Sequence, residues 1–309
     1  MEKILTIAQV ITPIFAAVAM GMVTRRKNLM SDAEIRGLQQ FVMKFGLPCV
    51  IFNSCLTADI GAESLTSMVL VIPSVLLGTL WAFRARKKQL PYHNLPQLFT
   101  AQETGMLGIP LFMILFGADQ AYRMGVLDLA QAVTAYPTIA ILSAAAQANP
   151  SPRAILKSVL TSPLLIMSML GLGLNISGIG TWMEVVGIRS VLTECTGFLA
   201  QPVSAMMIFS VGYNFSLEKG SRQIIFRVAA GHFLYFALFG LAVQGILCLI
   251  PNVDSLTRWA ILMYSTLPAS YLAPTLGRSK EDFTMASGVC SLLTIPALAV
   301  FCIISIFVF

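Results

Sequence analysis

Gln102-Glu103-Thr104-Gly105-Met106-Leu107-Gly108-Ile109-Pro110-Leu111 lies in the middle of an apolar segment, and Ser265-Thr266-Leu267-Pro268-Ala269-Ser270-Tyr271-Leu272-Ala273-Pro274 does the same farther along the chain. Each surrounding segment is long enough to cross a bilayer, which takes roughly twenty apolar residues. A proline inside a helix removes an i→i−4 hydrogen bond and clashes with the preceding turn, and nearby glycines add slack. Both helices are therefore expected to be interrupted near the membrane midplane. Irregular backbone at that depth is tolerated only beside a cavity or inside protein. Two interrupted helices at corresponding places in two halves of a chain mark the binding site of a secondary transporter.

The rest of the composition agrees with a membrane class. Of 309 residues 57% are apolar and 11% charged, against roughly 25% charged in a soluble domain. Ten apolar spans can be placed, at about 4–24, 37–58, 64–83, 95–117, 121–146, 154–175, 187–211, 224–250, 256–277 and 283–309, which leaves no soluble domain. An all-α integral membrane protein is expected. The six cysteines fall within the spans without a CxxC pair and read as packing residues, so no disulfide or metal site is expected. HExxH, Walker and GxSxG motifs are absent, which argues against an enzyme, and nothing in the chain calls for a cofactor.

The net charge of +6 does not mark a nucleic-acid binder, because the basic residues are scattered through short loops without aromatic interleaving. It encodes topology instead. The odd-numbered loops carry fifteen Lys and Arg, among them Arg25, Arg26, Lys27, Arg36, Arg84, Arg86, Lys87 and Lys88, whereas the N-terminus and even loops carry four, Lys3, Arg123, Arg189 and Arg258. By the positive-inside rule the odd loops are cytoplasmic and both termini face outward, in a multi-pass protein of the cell membrane. Arg25-Arg26-Lys27 follow the first apolar segment, so Ala17-Val18-Ala19 is not expected to end a cleaved signal peptide.

Pro48, Pro110 and Pro137 recur as Pro202, Pro268 and Pro296 at offsets of 154, 158 and 159 residues. This spacing suggests an internal duplication into residues 1–148 and 149–309, joined at Asn149-Pro150-Ser151-Pro152. Consecutive copies with five spans each must enter the membrane from opposite sides. The expectation is two inverted five-helix repeats whose broken helices, the fourth and ninth, cross near the centre.

Glu103-Thr104-Gly105-Met106-Leu107-Gly108-Ile109-Pro110-Leu111, together with Leu47-Pro48 and Leu267-Pro268, resembles the auxin efflux carrier family, which includes plant PIN-type carriers and bacterial permeases for malate and malonate. The resemblance extends over the whole chain. It implies a five-plus-five inverted repeat, a mobile transport bundle moving against a scaffold, passage of organic anions, and lateral association into a homodimer. Where PIN-type carriers have asparagine, this chain has Glu103.

Candidate site residues follow from the breaks. A broken helix exposes N–H groups that attract anions and carbonyls that attract cations. Backbone at Gly105, Gly108, Pro110 and Pro268 is therefore expected to hold a carboxylate, with Thr104, Ser270 and Tyr271 as neutral hydrogen-bonding partners. Asn53 and Tyr136 are expected to line the same cavity. Lys44, Glu103, Asp128, Glu194 and His232 are ionisable residues within apolar spans, where such groups are costly. Glu103, about eight residues or roughly 12 Å into its span, is the expected proton-coupling or substrate residue. Lys44, at similar depth, is its expected partner in coupling unless it snorkels to the surface. Asp128 and Glu194 are expected to reach water at the outer ends of their spans, and His232 to be a packing residue.

The expected function is secondary active or facilitated transport of a small organic anion, a carboxylate or auxin-like molecule, by alternating access. Two alternatives stand beside it: a proton- or sodium-coupled carrier of a neutral or cationic solute, and a membrane sensor of a small molecule.

Overall fold

The computed structural model describes residues 2–58, 62–88, 90–144, 160–161, 163–215, 222–250 and 253–309. The joint expected at 149–152 lies outside them. Among the described residues the chain is helical, and strand-like pairing is confined to the isolated bridge between Gln102 and Ala269. Among the described residues five helices are long and apolar enough to cross a membrane: Ala8–Arg26, Thr66–Lys88, Ile188–Asn214, Arg222–Cys248 and Lys280–Val308.

In chain order the helices are α1 (Glu2–Arg26), α2 (Asp32–Phe41), α3 (Leu47–Leu56), α4 (Ala62–Lys88), α5 (Ile109–Phe116), α6 (Ala121–Ala144), α7 (Pro163–Ile176), α8 (Ile179–Val185), α9 (Ile188–Ala200), α10 (Val203–Asn214), α11 (Arg222–Cys248), α12 (Ser255–Thr266) and α13 (Lys280–Val308). They pack as two groups. In one, α1 lies along α10, and α3 packs against α7 and α9. In the other, α4 packs on α6, and α11 on α12 and α13.

The α1–α10 contact is made backbone to backbone. A Cβ added at Gly21 would overlap the carbonyl oxygen of Phe209, and one added at Gly212 would overlap that of Val18. Removing side chains in this way lets apolar helices approach closely where no hydrophobic effect drives them together.

Prolines act here according to position. Pro13, Pro73 and Pro296 sit inside continuous helices. Pro48 and Pro110 instead stand in the first turn of α3 and α5, each preceded by one wide π turn, Val42–Gly46 and Thr104–Gly108. In both, the N–H just before the proline reaches five residues back, Leu47 to Val42 and Ile109 to Thr104. A proline has no N–H and its ring pushes away the carbonyl four residues earlier, so the preceding turn widens. Pro110 therefore opens α5 and is not itself the point of interruption.

α2 is a short amphipathic helix that buries Ile35. Ser31 closes a capping box with Glu34, and the Ser31 backbone N–H and hydroxyl hold the Glu34 carboxyl below its usual range.

Candidate functional site

Two non-helical stretches meet in the centre of the second helix group. The first, Thr100–Glu103, joins the short 3₁₀ turn Leu95–Phe99 to the π turn at Thr104. The second, Leu267–Leu272, follows α12, which stops at Thr266 because Leu267 precedes a proline and takes extended angles, φ −63° and ψ 152°. The two stretches run antiparallel. Glu103 N donates to the Pro268 carbonyl at 2.8 Å, and Ser270 N donates to the Ala101 carbonyl at 2.9 Å. Buried backbone without helical partners must find others, and here each stretch satisfies its counterpart.

The Glu103 side chain ties the same two stretches together. Its Oε1 accepts from Met106 N at 3.2 Å, and Oε2 accepts from Tyr271 N at 2.5 Å. The residue is 7% exposed, and no cation pairs with it among the described residues. Two amides, one from each interrupted segment, thus converge on a single carboxylate.

A second polar knot braces the first stretch from α6. Gln131 reads the Gln102 peptide at both ends: its Oε1 accepts from Gln102 N at 2.8 Å and its Nε2 donates to the Gln102 carbonyl at 3.0 Å. The same Nε2 reaches Thr104 Oγ1 at 3.1 Å and Asp128 Oδ1 at 2.9 Å, and Tyr264 OH donates to Gln131 Oε1 at 3.0 Å. Thr104 Oγ1 also donates to Asp128 Oδ1. Asp128 and Gln131 are three residues apart on one helix and so share a face. That spacing of polar residues in an apolar span is the signal that points to them.

A cavity of about 230 Å³ lies beside this centre and reaches from Arg25 and Arg36 to Tyr271, Cys290 and Thr294. It lies between the two helix groups. Arg25, Asp32, Arg36, Gln39 and Tyr213 line it on one side, and Tyr271, Ser287, Cys290, Ser291 and Thr294 on the other. At its mouth Arg25 Nη1 donates to the Tyr213 carbonyl at 3.2 Å and Tyr213 OH donates to Asp32 Oδ1 at 2.9 Å. At its inner end Tyr271 OH shares a 2.7 Å hydrogen bond with Thr294 Oγ1, and Cys290 Sγ points to the Ser270 carbonyl at 3.7 Å.

The structure thus brings together Glu103, Thr104, Pro268, Ser270 and Tyr271 from the expected set. It adds Asp128, Gln131, Tyr264, Cys290 and Thr294. Gly105 packs against Met43 and Leu47, and Gly108 against Leu267 and Met124, so both serve helix packing. Asn53 is held elsewhere: its Oδ1 accepts from Thr196 Oγ1 at 2.6 Å across the α3–α9 contact. Lys44 stands exposed on the π turn before α3 and is not brought to the buried Glu103. Tyr136 lies on α6, with its side chain outside the described residues. Asp128, expected to reach outer water, turns inward to Thr104 because that hydroxyl and the Gln131 amide supply its hydrogen bonds. His232 is buried 5.4 Å from the Phe99 ring and 4.7 Å from Phe236, with neither nitrogen hydrogen-bonded, so it packs as an aromatic ring. Glu194 is exposed on α9.

No protein-family model matches this chain, and no curated protein matches it.

Proposed function

We propose that the protein is a secondary carrier of a small organic anion that works by alternating access. The observation that carries this reading is the meeting of two interrupted segments, one from each half of the chain, at the inner end of a cavity with Arg25 and Arg36 at its mouth. The same observation favours the auxin efflux carrier likeness, ten spans in two inverted repeats, and crossing fourth and ninth helices. The basic end is then cytoplasmic and the cavity faces inward. The first group, around α1, α3, α7, α9 and α10, corresponds to the scaffold. The second, with the crossing at its centre, corresponds to the moving bundle. Movement of one against the other closes the cavity on one side and opens it on the opposite side.

A second reading has its own support. Glu103 and Asp128 are the charged side chains at the crossing, which suits a proton- or sodium-coupled carrier of a neutral or cationic solute.

Thermal stability of the purified protein separates the two, since a ligand that binds only the folded state raises stability by mass action. The panel is malonate, malate, indole-3-acetate, their uncharged amides, and sodium, each at two pH values. Stabilisation by carboxylates is expected. Stabilisation by sodium or the amides alone overturns the anion reading.

Arg36, exposed at the cavity mouth, attracts the anion over a distance and does not grip it. Arg36→Gln is expected to raise KM about threefold with kcat little changed, and to flatten the salt dependence of uptake in proteoliposomes. A fall in kcat with KM unchanged would contradict that role.

A further inference from the structure

The most unusual feature of the crossing is that its anion receptor is already filled. Met106 N and Tyr271 N come from the two different interrupted segments and point at one place, and the group between them is the carboxylate of Glu103. Two convergent N–H donors are the geometry that binds a carboxylate through both oxygens, and hydrogen bonds to an ionised acceptor are about twice as strong as neutral ones. Resting on the carrier reading above, we infer that Glu103 stands in for the carboxylate of the substrate. An incoming organic anion displaces it from Met106 N and Tyr271 N, and Glu103 leaves with a proton taken from cavity water.

The cost of burying uncompensated charge explains why a proton accompanies the exchange. Before binding, the receptor holds one anion, Glu103 itself. If a second anion entered without a proton, two negative charges would share a buried site beside Asp128, with no counter-ion among the described residues. A buried charge without a partner costs several kcal/mol. With the proton, the receptor holds one anion before and after. For a monocarboxylate such as indole-3-acetate the moving bundle then carries the same charge empty or loaded, and the carrier cotransports one proton with each anion.

Two further observations bear on the exchange. Tyr271, the residue whose N–H Glu103 occupies, is also one of the residues that line the cavity. Next to Glu103, the Gln102 side chain is 2% exposed and neither its Nε2 nor its Oε1 has a partner. A polar group left unsatisfied in the bare protein is a candidate partner for a bound ligand. The titratable groups that face Glu103 are Asp128 from α6, through Thr104, and Tyr271 and Cys290 along the α13 side. Tyr264 of α12 stands behind Gln131. From the other helix group, Met43 and Leu47 approach this turn at Gly105.

Malonate and indole-3-acetate serve as probes, with wild type and Glu103→Gln in nanodiscs. Calorimetry of the wild type in two buffers of different ionisation heat is expected to read about one proton taken up per anion bound above neutral pH. Glu103→Gln, in which a neutral amide replaces the resident carboxylate, is expected to bind about tenfold tighter at that pH, with no proton uptake and no pH dependence. Binding to the wild type without proton uptake overturns the inference, as does a variant with the wild type's pH dependence. If Glu103→Gln does not fold, the wild-type calorimetry decides alone. If neither probe binds either protein while sodium or an amide stabilises the wild type, the anion reading itself falls, and the inference with it.

Discussion

Gln131→Leu is expected to lower thermal stability steeply and to abolish counterflow. The amide serves as acceptor for Gln102 N and Tyr264 OH and as donor to the Gln102 carbonyl, Thr104 and Asp128. Leucine has similar bulk, so the change removes partners without opening much space. Each buried polar group left without a partner costs about 1–3 kcal/mol. Gln102 and Tyr264 are buried, and a loss of roughly 3–6 kcal/mol follows for the groups left without a partner. On the carrier reading proposed above, transport suffers separately, because Gln102 holds the backbone that carries Glu103 to Tyr271. A displacement of about 1 Å in a positioned group costs on the order of a hundredfold in rate. Thermal unfolding and proteoliposome counterflow, measured on the same preparation, check both parts. Wild-type stability in Gln131→Leu would show that the knot does not brace the crossing.

Gly212→Val is expected to prevent assembly of the first helix group. Even a single Cβ there meets the Val18 carbonyl, which has no rotamer to move into. Overpacking in a core costs about 1–3 kcal/mol, occasionally more, and the backbone clash puts this site at or above the top of that range. Valine adds two methyl groups, so α1 and α10 must separate along their length. Little folded protein is expected in size-exclusion profiles, with Gly212→Ala intermediate. Gly231→Ala is the control: nothing lies within 4 Å of its added Cβ. In that helix interior alanine is favoured over glycine by about 0.5–1 kcal/mol. A well-folded Gly212→Val would mean that α1 does not seat on α10 as described.

Some of the site was legible from local chemistry. Pro268 marks where α12 stops because the residue before a proline is forced out of the helical region. Glu103 drew notice because a carboxyl deep in an apolar segment needs a reason to be there. Other features depend on partners distant in sequence. Pro48 and Pro110 are chemically like Pro268, yet each opens a helix after a π turn. What differs is whether the preceding residues find tertiary partners or keep their own carbonyls. Asp128 and Asn53 also depart from their expected roles. Asp128 turns to Thr104, twenty-four residues earlier, and Asn53 to Thr196, 143 residues later.

By itself the sequence determined the class of molecule: an apolar, helical chain with membrane-length segments, basic residues clustered between them, and prolines that limit where helices can run. Those properties are set by each residue's own solubility and backbone freedom, and they hold whatever the rest of the chain does. Only the tertiary structure decided which carboxylate meets which amide. The Glu103 side chain reaches Tyr271 across 168 positions of sequence, and Gln131 accepts from Tyr264 across 133. A hydrogen bond depends on distances of a few tenths of an ångström between atoms that no local pattern relates. The packed helices supply that relation, and with it the buried carboxyl held between two interrupted segments.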